Sequence, residues 1–120
     1  MSNNETQREN NMTKISNKEI RAKVEFMEEF DNKNSSCYGR RLEEAGLYVV
    51  YSYGEHWPLF VYDWRVNQWY ENNSKYGNTT SRHAAHSRPY DLTTSAKANG
   101  FIEMSVAEIK EFINRRIILN

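Results

Sequence analysis

The sequence predicts an α+β fold: a three- or four-stranded antiparallel meander packed by an N-terminal and a C-terminal helix. Three observations predict it. The same helix-start signal occurs twice, at "ISNKEI" and at "MSVAEI". Between these lie runs rich in β-branched and aromatic residues. Only short turns separate those runs, which is what consecutive antiparallel strands require.

Residues 1–14 are polar and rich in Asn, with only methionines for apolar content. They offer too little apolar surface to offset the entropy of ordering, so they read as a flexible tail before a single domain spanning 15–120. A helix over 16–31 comes first. Ser16 caps it, Glu19 reaches back to the Ser16 amide, and Ile15 with Ile20 forms a hydrophobic staple. Ile20, Val24, Met27 and Phe30 then recur at helical spacing, and "DNKNSS" ends the run. "RRLEEAG" reads as a short helix closed by Gly46 in a left-handed cap.

The sheet is expected over 47–71, from "LYVVYSY", "PLFVYDW" and a third strand around Trp69 and Tyr70. A loop over 72–91 follows. "GFIEM" is suited to a further short strand, and the last helix is expected over 105–118. Ser105 and Glu108 repeat the capping pair, with Met104 and Ile109 as the staple. Arg115 and Arg116 complement the negative end of that helix.

Sixteen basic and sixteen acidic residues cancel. This excludes both a strongly basic coater of DNA and a strongly acidic DNA mimic. The local balance differs. From Asn72 to Tyr90 the formal charges are Lys75, Arg82 and Arg88, beside an acidic stretch holding Glu43, Glu44, Glu55, Asp63 and Glu71. The lone Cys37 excludes an internal disulfide framework and suits a reducing compartment. No apolar run reaches the roughly 20 residues that span a bilayer, and the start lacks the pattern of a signal peptide. A soluble, cytoplasmic protein without a membrane partner is expected.

The stretch "KYGNTTSRHAAHSRPY", Lys75 to Tyr90, contains no carboxylate and is the best site candidate. A short helix from Arg82 to Ser87, stopped by Pro89, would aim its free amides at Thr79, Thr80 and Ser81. Amides, hydroxyls and the Arg82 guanidinium then suit a phosphate, flanked by Lys75, His83 and Arg88. The plainer account is that Ser81 only caps its helix. Aromatic residues crowd the stretch just before. Phe60, Tyr62 and Trp64 share one strand face while Leu59 and Val61 take the other. If the aliphatic set fills the core, Tyr62, Trp64, Trp69 and Tyr76 form an outer surface that stacks bases or contacts a partner. A second core layer, covered by the 31–46 segment, accounts for the same residues.

His83 and His86 with His56 and Cys37 would be the residues of a zinc site, but one short-spaced pair does not define one. No motif calls for a cofactor, and no nucleophile elbow, phosphate loop or zinc helix is present. No catalytic residue is assigned.

"VVYSYGEHWPLFVYDWRVNQWYENNSKYGNTTSRHAAHSRP" resembles a domain of unknown function found in many small proteins of tailed phages and prophages. The resemblance is carried by Ser52, Tyr53, Gly54, His56, Trp69, Tyr70, Asn72, Lys75, Tyr76, Thr79, Thr80, Ser81, Arg82, His83, Arg88 and Pro89. The chain departs at Gly77, where that pattern has Ser, and lacks a glutamine before the Arg. About a third of the chain is covered, without either flanking helix. The resemblance implies a phage or mobile-element origin and supplies no activity.

Together these readings predict a non-enzymatic, phage-type accessory protein that binds nucleic acid, or a host nucleic-acid-binding protein, and modulates that machinery. Its location would then be the host cytoplasm. Inhibition of a host defence nuclease, as by anti-CRISPR proteins, falls within this reading. The alternatives are a small nuclease or nucleotide-handling enzyme using His56, His83 and His86, and a homo-oligomerising structural module.

Overall fold

The computed structural model describes residues 14–74, 77–89 and 100–119. It corrects the expected architecture. In place of a three- or four-stranded antiparallel meander with two helices, the described residues form a seven-stranded mixed sheet with three α-helices. The strands are β1 (Lys14–Ile15), β2 (Phe30–Asn32), β3 (Cys37–Leu42), β4 (Leu47–Ser52), β5 (Pro58–Asp63), β6 (Gln68–Asn72) and β7 (Phe101–Met104), and they lie in chain order across the sheet. Both outer pairs, β1 with β2 and β6 with β7, are parallel; the inner pairs are antiparallel. The helices are α1 (Asn17–Glu25), α2 (Asn78–Ser87) and α3 (Val106–Leu119).

The first helix is shorter than the 16–31 expected. Its start is as read: the Ser16 amide donates to Glu19 Oε1 at 3.0 Å. Its end lies at Glu25, because Met27 takes a left-handed φ of 55°. The Met27 amide then donates to the Val24 carbonyl and the Glu28 amide to the Lys23 carbonyl, the paired bonds that close a helix in a Schellman motif. Glycine usually occupies that position, so a methionine there hid the end. Phe30, freed from the helix, enters β2 and the core instead.

"CYGRRL" is a strand and not the start of a short helix; only Glu43–Ala45 makes a single 3-10 turn, closed by Gly46 at φ 71°. Gly39 leaves room above β3 for the Phe30 and Tyr48 side chains of the neighbouring strands. A Cβ on Gly39 would come within 2.6 Å of the Phe30 ring and overlap the Tyr48 hydroxyl. That hydroxyl donates to the Glu28 carbonyl at 2.8 Å, so the space is filled by design of the packing.

Helices cover both faces of the sheet. On one, α1 and α2 pack over Phe30, Tyr48, Val50, Phe60, Tyr62 and Trp69. On the other, Ile109 and Ile113 of α3 pack over Leu47, Val49, Tyr51 and Val61. Of the expected outer aromatic surface, Tyr62 and Trp69 are instead buried in this core, and Trp64 is half-buried against it. α3 starts on the expected pair: the Ser105 amide donates to Glu108 Oε1 at 2.8 Å, and the Glu108 amide to Ser105 Oγ at 3.2 Å. Arg116 does not serve the helix end. It reaches across to the buried Asp63 at the end of β5, with contacts of 2.6 and 3.1 Å. Among the described residues, no helix is long and apolar enough to cross a membrane.

Candidate binding cleft

α2 begins four residues before the Arg82 start expected of it. Gly77 is its N-cap, Asn78 its first residue, and the Ser81 amide donates to the Gly77 carbonyl at 3.0 Å. Ser81 is thus inside the helix and is not its cap. The Ser81 amide is bonded within the helix, so the amides left without an intrahelical acceptor are those of the first turn before it. Arg88 takes an extended conformation, which a residue before proline favours, and ends the helix.

What the helix provides is a side face. Thr79, Arg82, His83 and His86 follow each other at one-turn spacing and form one wall of a cleft of about 450 Å³. The opposite wall is Asn32, Lys33, Asn34 and Ser36 of the β2–β3 turn, with Ile15, Ser16 and Asn17 at the entry to α1. Tyr53 forms the rim. Lys33 and Arg82 are exposed and make no hydrogen bond or ion pair among the described residues. No carboxylate lines the cleft among the described residues.

A buried polar network fastens the two walls. Asn32 Oδ1 accepts the Ser36 and Cys37 amides at 2.8 and 3.1 Å, fixing the turn, while Asn32 Nδ2 donates to Ser36 Oγ at 3.1 Å. Ser36 Oγ lies 3.3 Å from His83 Nε2, and Ser52 Oγ of β4 lies 2.8 Å from His83 Nδ1. Ser52 Oγ also donates to Thr80 Oγ1 at 3.1 Å. Hydroxyls serve as donor or acceptor, so a neutral imidazole is satisfied at both nitrogens. Burial, and secondarily the neighbouring His86, hold the His83 imidazole below its ordinary range. His83 is consequently a neutral pivot, pinning α2 to the sheet.

The remaining candidates separate. Arg88 donates to both Glu71 carboxylate oxygens, at 2.9 and 3.3 Å, and lies over the Phe101 ring, so its charge is spent outside the cleft. Arg21 of α1 donates to the Ala85 and Arg88 carbonyls and holds the free end of α2. Tyr62 and Trp69 are buried against each other, and Trp64 is half-buried beneath the Arg41 guanidinium. Lys75 and Tyr76 lie outside the described residues.

Among the described residues no three His, Cys, Asp or Glu side chains come together as a metal site would need. Cys37 is buried in the core, where desolvation pushes its thiol up to about 12. His56 sits in the exposed β4–β5 turn and does not line the cleft that His83 and His86 share.

Two parts of the site were not foreseen. The turn 32–36 reads in sequence as a helix end, and nothing local places it opposite a helix 47 positions away. Tyr53 was one aromatic among many. It turns outward, 56 % exposed, with its ring 5.3 Å from that of His83. Its backbone stands at φ 61°, a strained value for a bulky residue, held by its amide donating to the Ser36 carbonyl at 2.7 Å. The tandem "SYG" was the available signal, since Gly54 follows at φ 132° in a turn of two positive φ values.

No protein-family model, no characterised protein and no solved structure matches the chain.

Proposed function

We propose that the protein is a non-enzymatic binding module that holds a phosphate-bearing ligand, a nucleotide or nucleic acid, in the cleft between α2 and the β2–β3 turn. One observation carries this reading: Lys33 and Arg82, two cations with no hydrogen bond or ion pair among the described residues, meet across a cleft lined by hydroxyls, amides and imidazoles without a carboxylate. Such a lining attracts an anion and supplies the donors that phosphate oxygens require. In this reading His83, engaged at both nitrogens by buried hydroxyls, positions α2 beside the ligand. An accessory role in phage biology, acting on host nucleic-acid-handling or defence machinery in the host cytoplasm, rests on the sequence resemblance alone.

The test is a binding titration of single-stranded DNA, single-stranded RNA, duplex and free nucleotides at two salt concentrations. Wild-type affinity is expected to fall with salt. Arg82→Ala is expected to weaken binding by about tenfold or more, the usual loss for a hydrogen bond to a charged group, with folding unchanged because the side chain is exposed. Equal binding by wild type and Arg82→Ala would refute the assignment of the cleft.

A further inference from the structure

We infer that the cleft takes one nucleotide unit, a nucleoside monophosphate free or at the end of a strand, and does not track a run of strand. The inference rests on the cleft being the phosphate site proposed above, and it names the ligand.

Three observations restrict the occupant. First, the site is a bounded cleft of about 450 Å³, within the range of ~300–1,000 Å³ typical of small-molecule sites. A channel for continuous strand needs a groove open at both ends. Here α2, the β2–β3 turn and the α1 entry supply three walls.

Second, strand-binding surfaces present a series of aromatic rings on which successive bases stack. The sheet has such rings, but Phe60, Tyr62 and Trp69 are buried beneath the helices. Among the described cleft residues only Tyr53 offers an aromatic face to a base, and it is exposed.

Third, among the described residues the cleft carries two lysine or arginine side chains, Lys33, whose charge also reaches the Glu19 carboxylate, and Arg82. Arg88, one turn further along, is held by Glu71 and cannot extend the charged track. Two cations match the charge of one phosphate monoester at neutral pH. The Arg82 fork and the Lys33 ammonium receive the phosphate oxygens. Tyr53 stacks on the base, and Asn17 and Asn34, which line the cleft, offer side-chain donors and acceptors to sugar hydroxyls and base edges.

Calorimetric titration of the full chain separates the possibilities. The titrants are the common nucleoside monophosphates, inorganic phosphate, and single strands of four to sixteen nucleotides with and without a 5′-phosphate. The expected result is one-to-one binding of at least one monophosphate, with inorganic phosphate weaker. Tyr53→Ala should weaken that monophosphate by about tenfold and leave inorganic phosphate unchanged, while Tyr53→Phe retains it. Phosphorylated strands, if the source is a strand end, bind with an affinity independent of length. Affinity that climbs with strand length, without monophosphate binding, would overturn the single-nucleotide site and leave the phosphate cleft standing. Monophosphate binding indifferent to Tyr53→Ala would overturn the base placement. Binding of no phosphate compound would overturn both this inference and the reading beneath it.

Discussion

Arg116→Leu is expected to destabilise the protein by about 1–3 kcal/mol, the loss usual when a buried polar group is left without its partner. Asp63 is 3 % exposed at the end of β5, and its carboxylate receives Arg116 at 2.6 and 3.1 Å and the Arg65 amide at 3.1 Å. The carboxylate in turn holds the Arg116 guanidinium above its ordinary range, chiefly by hydrogen bonding. Removing the guanidinium leaves Asp63 as a buried charge with one amide bond from Arg65, so the cost exceeds the value of the contact itself. Leucine keeps apolar volume at the site, which limits the effect to the charge. Asp63→Asn combined with Arg116→Leu should recover part of the loss, because no unpaired charge remains. Urea unfolding measures both. A single variant within about 0.5 kcal/mol of wild type, the range of an ordinary surface change, would show that the pair does not anchor α3 to the sheet.

His83→Ala is expected to cost about 2–4 kcal/mol, since a buried ring is lost and the Ser36 and Ser52 hydroxyls each lose a partner. Stability should also change its dependence on pH. The unfolded chain takes up a proton on this imidazole as pH falls through about 6.5, whereas burial makes the folded protein refuse it. The contribution of His83 is therefore complete above that pH and is lost on acidification, until the folded imidazole protonates in turn. Unfolding free energies from pH 8 to pH 5 should decline more steeply in wild type than in His83→Ala. Parallel profiles would contradict a neutral, buried His83.

The capping pairs Ser16–Glu19 and Ser105–Glu108 were legible because each start depends on residues three apart in the chain. Strands β4, β5 and β6 were legible because their own composition demands burial. The strand expected at "GFIEM" is also present, as β7, whereas β1, β2 and β3 have no such composition. "CYGRRL" carries one glycine and two arginines, and becomes β3 because β4 offers it six paired positions, from Cys37 with Ser52 to Leu42 with Leu47. β7 owes its place to parallel pairing with β6, between segments about thirty residues apart. Met27 concealed the end of α1, and three hydroxyl residues concealed the start of α2, where Gly77 caps in their stead.

The candidate site divided along the same line. Thr79, Arg82 and His83 were marked by local charge and by the absence of acid, and they do share one helix face. Lys33, Asn34 and Ser36 were not marked, since only the fold carries them to that face. Tyr62 and Trp69 read as an outer surface because nothing in their own segment shows that they pack on each other and, through Trp69, on Phe101 of β7.

The most direct test is to map binding residue by residue, using backbone amide correlation spectra during titration with nucleotides and a short 5′-phosphorylated oligonucleotide. Changes concentrated at residues 33–36, at Tyr53 and Gly54, and at 79–86, and abolished by Arg82→Ala, are the result expected of a phosphate site in this cleft. Changes centred on the α3 face of the sheet, or none with any phosphate ligand, would contradict it.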